Sequence, residues 1–284
     1  MTQTLIRPLP QIHIMPAGEN CREQVLMYVV RDTRGCDLKA ADSMNRFPAT
    51  PFCCITWMLE GESRLIEHQG KACDQRLPRM FISGCQSRHG VSMNIGERHS
   101  FMAVFFADAF HALFGLDLTV LQDQFVDATL LPGTDARQLL QAVAVADTHE
   151  ARQELIETFI SAQAGAKIHS PWSRLRKLRQ RLSLQMAGIL LGLGDRQVQR
   201  RVRREAGLPL LTLSRLWRAK RSHDALLEKL AQGDSLNWAE HALDQGFADQ
   251  SHLVRDCKEV SGRSPQQLLD DVRKNESDWM YRLR

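Results

Sequence analysis

The chain has 284 residues, room for two domains at roughly 100–200 residues each. Apolar residues make up 43% and charged residues 25%, which excludes a disordered or low-complexity chain. No apolar run approaches the ~18 residues of a membrane helix, and Met1 to Pro10 lack the apolar core of a signal peptide, so a cytoplasmic protein away from any membrane is expected. The seven cysteines are odd in number and irregularly spaced, with no CxxC, and read as free thiols in a reducing compartment. The net charge of +4 is unevenly spread. Residues 1–170 carry 15 Lys/Arg against 19 Asp/Glu, whereas residues 171–284 carry 22 against 14, a balance of +8. A basic half of this kind attracts polyanions.

In chain order, residues 10–107 read as β. Short apolar runs at 24–30, 52–59, 79–83 and 101–106 are separated by Asn45, Gly61, Gly70, Pro78, Gly84 and Gly96, the pattern of a sandwich or small barrel. Ala109, Leu113 and Leu116 predict a short helix. After Pro132-Gly133 two longer helices follow, one with Leu139, Leu140 and Val143 on one face, the next with Leu155, Ile156, Phe159 and Ile160. Asp147 with Glu150 predicts a capping box for the second. Gly165 and Ser170-Pro171 mark a boundary, giving a β-rich sensory or dimerisation domain over 1–132, a helical linker over 133–171 and an all-α domain over 172–284.

The all-α part holds two helix-turn-helix patterns. In the second, Asn237 to Gln245 is the supporting helix, with Trp238, Ala242 and Leu243 apolar. Gly246 turns the chain, Phe247 plugs the core, and Asp249 opens the next helix, where a carboxylate takes up free backbone N–H groups. Leu253 and Cys257 then face inward, and Gln250, Ser251 and Arg255 outward. Gln and Arg side chains hydrogen-bond adenine and guanine through the major groove. The first pattern runs from a supporting helix with Leu184, Gly188 and Leu191, through Gly192 and Leu193, to a helix over Asp195 to Ala206. Val198 and Val202 face inward there, leaving Arg196, Gln199, Arg200 and Arg203 outside. Arg200 and Arg255, Val198 and Leu253, and Gly207 and Gly262 share an offset of 55. Between the two patterns, Leu210 to Ala231 reads as one helix. Asn275 to Arg284 is polar apart from Trp279, Met280, Tyr281 and Leu283, and reads as a frayed tail or a docking segment.

Gly246-Phe-Ala-Asp-Gln-Ser-His-Leu-Val-Arg255, with Gly262-x-Ser264-Pro265, resembles the DNA-binding domain of the AraC family of bacterial transcription regulators, and 193–207 is a looser match. The resemblance covers about residues 175–274. It implies two heads in successive major grooves of double-stranded DNA, with Arg196, Gln199, Arg200, Gln250, Ser251 and Arg255 toward the bases. Arg203 is available beside them. His241 stands where the family carries an apolar residue, Leu253 and Cys257 stand where phenylalanine is common, Pro209-Leu210 replaces Ser-Pro, and Gly194 replaces a serine cap.

By the same resemblance the N-terminal part is a cupin-like β-barrel or sandwich that senses a signal or dimerises. The chain as a whole is then an α+β multidomain protein, its all-α end carrying two helix-turn-helix motifs. The reading is a sequence-specific activator with no cofactor, working with RNA polymerase, a small-molecule effector of unknown binding site and a second copy of itself as partners. A pocket lined by Trp57, Met58, Met80, Phe81 and Met93 is weighed against plain core. Cys53, Cys54, Cys73, Cys85, His89 and His99 are the residues that a metal or thiol sensor would use, and Cys85 is the nucleophile for the alternative of a DNA-tethered β-barrel enzyme. No P-loop, G-x-S-x-G or dinucleotide fingerprint supports an enzyme, and no catalytic or metal residue is assigned.

Overall fold

A computed structural model describes residues 8–164, 194–232 and 236–283. Strands β1 (Gln11–Pro16), β2 (Val25–Asp32), β3 (Met44–Phe47), β4 (Phe52–His68), β5 (Lys71–Arg76), β6 (Met80–Ser83), β7 (Gly90–Phe106) and β8 (Phe125–Asp127) form one antiparallel sheet. Its axis is the long β4–β7 ribbon. β3 pairs with the start of β7 and β2 with its end, while β6 and β5 pair with successive parts of β4.

Alternation along these strands separates two faces. Cys53, Ile55, Trp57, Phe101, Ala103 and Phe105 are buried with helices α1 (Ala107–Phe114), α2 (Thr134–Val145) and α3 (His149–Ala164). Trp57 Nε1 donates to the Leu140 carbonyl at 3.1 Å, so the burial of this ring leaves no unpaired N–H. The stripes foreseen on α2 and α3 meet this face: Leu139, Leu140, Val143, Ile156 and Ile160 are buried. The opposite face, with Met27, Val29, Cys54, Thr56, Met102 and Val104, lines a cavity of about 270 Å³.

Four expectations need correction. Gly61 and Gly96 do not separate strands but lie within β4 and β7. Asn45 likewise lies inside β3. The cap of α3 is Thr148, whose Oγ1 accepts the Ala151 N–H at 3.1 Å, so Asp147 does not cap it. The cavity is lined by Phe81 of the five residues foreseen, while Trp57 is turned toward the helices. Leu184, Gly188, Leu191, Gly192 and Leu193, and the boundary at Ser170-Pro171, lie outside the described residues.

The C-terminal helices are α4 (Asp195–Ala206), α5 (Leu210–Ala231), α6 (Trp238–Asp244), α7 (Gln250–Ser261) and α8 (Pro265–Lys274), followed by a 3-10 segment, Glu276–Arg282. α5 matches its sequence-predicted limits, and α4 and α7 share their length at the offset of 55. Among the described residues no helix is long and apolar enough to cross a membrane.

Candidate nucleic-acid interface

The second helix-turn-helix is α6 and α7. Asn237 caps α6, its Oδ1 accepting the N–H groups of Ala239 and Glu240 at 3.0 and 3.3 Å. Gly246 has φ of 77°, a conformation open to glycine without a Cβ clash. Phe247 follows and packs with Ala242 and Leu253, all buried. Asp249 Oδ1 accepts the His252 N–H at 2.7 Å, capping α7 as its position suggests. Gly262 ends α7 at φ of 76°, and it is doubly constrained: a Cβ there would lie 2.7 Å from His89 Nε2. Leu243 departs from the expected supporting role and is 63% exposed.

Gln250, Ser251 and Arg255 stand on the exposed side of α7. In α4, Arg196, Gln199, Arg200 and Arg203 are exposed, and Val198 and Val202 are buried. These valines share a core with Phe110, Phe114 and Leu118, so the inward face of α4 meets the N-terminal part of the chain. α4 ends at Gly207 with φ of 71°, as α7 ends at Gly262. Gly194 offers no side chain to cap α4.

Ion pairing sorts the basic groups. Arg201 and Arg204 approach Glu205 at 2.8 and 3.6 Å, Arg218 pairs with Asp256 at 2.6 Å, and Arg215 pairs with Glu259. Among the described residues no carboxylate pairs with Arg196, Arg200, Arg203 or Arg255. Arg221, Lys258, Arg273 and Lys274 are likewise exposed without a carboxylate partner among the described residues, so what sets Arg196, Arg200, Arg203 and Arg255 apart is their place on the outward faces of α4 and α7, where a phosphate or a guanine edge can meet them.

His241 is buried at 1% exposure, with Nε2 2.9 Å from Ser222 Oγ and Nδ1 unpartnered. Burial, aided by the Lys229 charge, pushes its pKa below the ordinary value of 6.5; Asp244 opposes this. The folded state therefore binds the proton less readily than the unfolded chain. Stability is complete above about pH 6.5 and declines as the pH falls through the window below it. His241→Leu is expected to flatten that decline. Thermal melts of both chains between about pH 7.5 and pH 5 check this, and parallel slopes would remove His241 as the cause.

The cysteines supply no comparable site. Cys53 and Cys85 are buried with their sulfurs 3.9 Å apart. The neighbouring Cys53 thiol and burial push the Cys85 thiol well up, which disfavours the thiolate that a nucleophile or sensor needs. Cys53 and Cys54 face opposite sides of β4, as adjacent strand residues must. Among the described residues no group of three His, Cys, Asp or Glu side chains could hold a metal ion.

Sequence reasoning passed over the cavity face of the sheet, where Asn45, Ser92, Asn94, Arg98 and Ser100 are buried. Asn45 Nδ2 donates to Asn94 Oδ1 at 3.0 Å, and Arg98 Nε donates to Ser100 Oγ at 2.9 Å. Burial and the nearby Arg31 charge lower the Arg98 pKa to about 10. The only sequence signal was polar residues alternating with apolar ones on a buried strand, which a solvated face would share.

Residues 189–271 match a family model described as a helix-turn-helix domain. No curated protein sequence matches the chain. Solved structures similar to it include a ligand-free ToxT variant from Vibrio cholerae, at 15% identity and a TM-score of 0.45, covering 86% of this chain and 97% of that one. A second ToxT structure is 12% identical with a TM-score of 0.42, covering 92% and 97%. ToxT with bound unsaturated fatty acid is 11% identical with a TM-score of 0.41, covering 95% and 97%.

Proposed function

We propose that this chain, a DNA-binding transcription regulator by its AraC-type helix-turn-helix domain, is an activator that reads two adjacent major grooves with α4 and α7. The observation that carries this reading is the exposed set of arginines on the outward faces of two glycine-ended helices of equal length, α4 and α7. Arg196, Arg200, Arg203 and Arg255 stand exposed there with no carboxylate partner among the described residues, whereas Arg201, Arg204, Arg215 and Arg218 are paired. Gln199, Gln250 and Ser251 stand exposed among them and supply neutral donors and acceptors. Phosphate contacts by some of these residues would fix the register, and base-edge contacts by others would select the sequence.

The N-terminal sheet is proposed to sense. The cavity of about 270 Å³ between the sheet and the C-terminal helices, with Arg98 and Gln86 on the sheet side and Leu216, Phe247 and Leu253 on the other, is mostly apolar and large enough for a small effector. Contact with RNA polymerase and pairing with a second copy remain part of this proposal.

Gel-shift titration against promoter fragments, with excess competitor DNA, tests the regulator reading. Specific binding should survive about 150 mM salt while the non-specific background falls steeply with log salt, since that term comes from counterion release. Weak binding of equal strength to every fragment, lost at moderate salt, would sink it.

A further inference from the structure

Trp279 belongs to the C-terminal 3-10 segment yet is fully buried against Met27, Val29 and Met102 of the sheet. Its Nε1 donates to Asn45 Oδ1 at 2.9 Å. The guanidinium carbons of Arg31 and Arg98 lie 5.2 and 5.9 Å from its ring centroid. Glu276 Oε1 is 2.6 Å from Nη2 of the buried Arg31. Met280, Tyr281 and Leu283 border the same cavity.

The receiving surface has the make-up of a ligand site. It is an apolar wall carrying a connected set of buried polar groups, and Arg98 has no carboxylate partner among the described residues. A desolvated guanidinium without a counterion is unfavourable. From outside the sheet the indole face offsets part of that cost, and the Glu276 carboxylate does the same for the neighbouring Arg31. The segment fills only part of the space, because the cavity continues beside it.

Its other side is tied to the second head. Arg263, just beyond the end of α7, donates to Asp271 at 2.9 Å and to the fully buried Asp278 at 2.6 Å, and lies 5.1 Å from the centroid of the Tyr281 ring. The end of α7 also touches the sheet domain directly, where the Ala49 N–H donates to the Val260 carbonyl at 2.9 Å. The reading faces stay exposed in this arrangement, so the segment positions the head and does not cover it.

We infer that residues 276–283 are an intramolecular ligand of the sheet face that lines this cavity, and that seating Trp279 there fixes the position of the second reading head. A molecule entering the cavity competes with Trp279, and the competition reaches α7 through Arg263. The DNA step rests on the two-head reading above; the seating of the segment does not.

The test uses the full chain carrying Trp279→Ala and, as probe, a labelled synthetic peptide of residues 275–284. A tethered segment acts at an effective concentration near the millimolar range, so the wild-type chain should bind the peptide at least about tenfold more weakly than the variant. A peptide with alanine in place of its tryptophan should bind neither. Equal binding to both chains, or none to a variant that still melts cooperatively, overturns the inference. Should Trp279→Ala not fold, Glu276→Gln keeps the indole and breaks the pair with Arg31. Hydrogen exchange in that chain should rise severalfold over both 276–283 and 250–261. A rise confined to 276–283, or no rise, overturns the coupling to the head. In gel shifts Trp279→Ala should weaken binding to a two-half-site fragment by about tenfold and leave a single half-site unchanged. Absence of specific binding by the wild type would instead strike the regulator reading and leave the peptide result standing.

Discussion

Phe247→Ala is expected to destabilise the second head by about 3–5 kcal/mol, the usual cost of emptying a buried aromatic site. The ring is 3% exposed and closes the gap between α6 and α7 against Ala242 and Leu253. The Arg218 guanidinium lies 4.8 Å from its centroid, and the His252 ring meets it edge-on at 5.4 Å. The same Arg218 also pairs with Asp256 at 2.6 Å, so losing the ring loosens a polar network as well as an apolar one. Whole domains are stable by only about 5–15 kcal/mol, and a loss of this size leaves α7 partly unfolded near body temperature. Urea titration followed by helical circular dichroism measures it. Leu243→Ala is the control: at 63% exposure it should shift stability by no more than about 0.5 kcal/mol. A Phe247→Ala chain within about 1 kcal/mol of wild type would mean that the turn is held by something other than this plug.

That contrast between Phe247 and Leu243 shows where the sequence was readable. Turns and caps are local chemistry: Gly246 and Gly262 need positive φ, Asn237 and Asp249 offer an oxygen to free N–H groups, and each does so where its neighbours suggest. Burial is not local. Trp238, Ala242 and Leu243 are equally apolar at the sequence level, and only the packing of α6 on α7 decides that Ala242 faces in and Leu243 out.

The sheet was less legible for a related reason. Gly61 reads as a turn, yet it sits at a register shift within β4, with φ of 81° and no room for a Cβ beside the Glu97 carbonyl. Glycine serves a bulge and a turn by the same freedom of φ, so the letter alone does not separate them. Strand alternation says that Cys53 and Cys54 part company, but not which of them faces the helices. Trp279 is the extreme case. Nothing within ten residues of it foretells Asn45, and their hydrogen bond spans 234 positions.

Moving the two half-sites of the target DNA apart by about 5 bp is expected to abolish specific binding, because it rotates one groove to the far side of a helix that repeats every ~10.5 bp. The expectation comes from α5. Its 22 residues make a rod of about 33 Å, close to the ~34 Å between successive major grooves on one face of B-DNA. α4 is anchored before this rod through Val198 and Val202, and α7 after it through Val260, which packs on the core and accepts the Ala49 N–H. Neither head can follow its groove by free rotation. Arg200→Ala and Arg255→Ala should each cost about 1–3 kcal/mol if each side chain holds a guanine. Because Arg200 and Arg255 share no partner, the losses should add to within about 0.5 kcal/mol in the double variant. Loss of preference should then map to one half-site for Arg200 and to the other for Arg255. Binding that tolerates the insertion, with both substitutions acting on the same half-site, would leave one head reading the DNA and the other outside it.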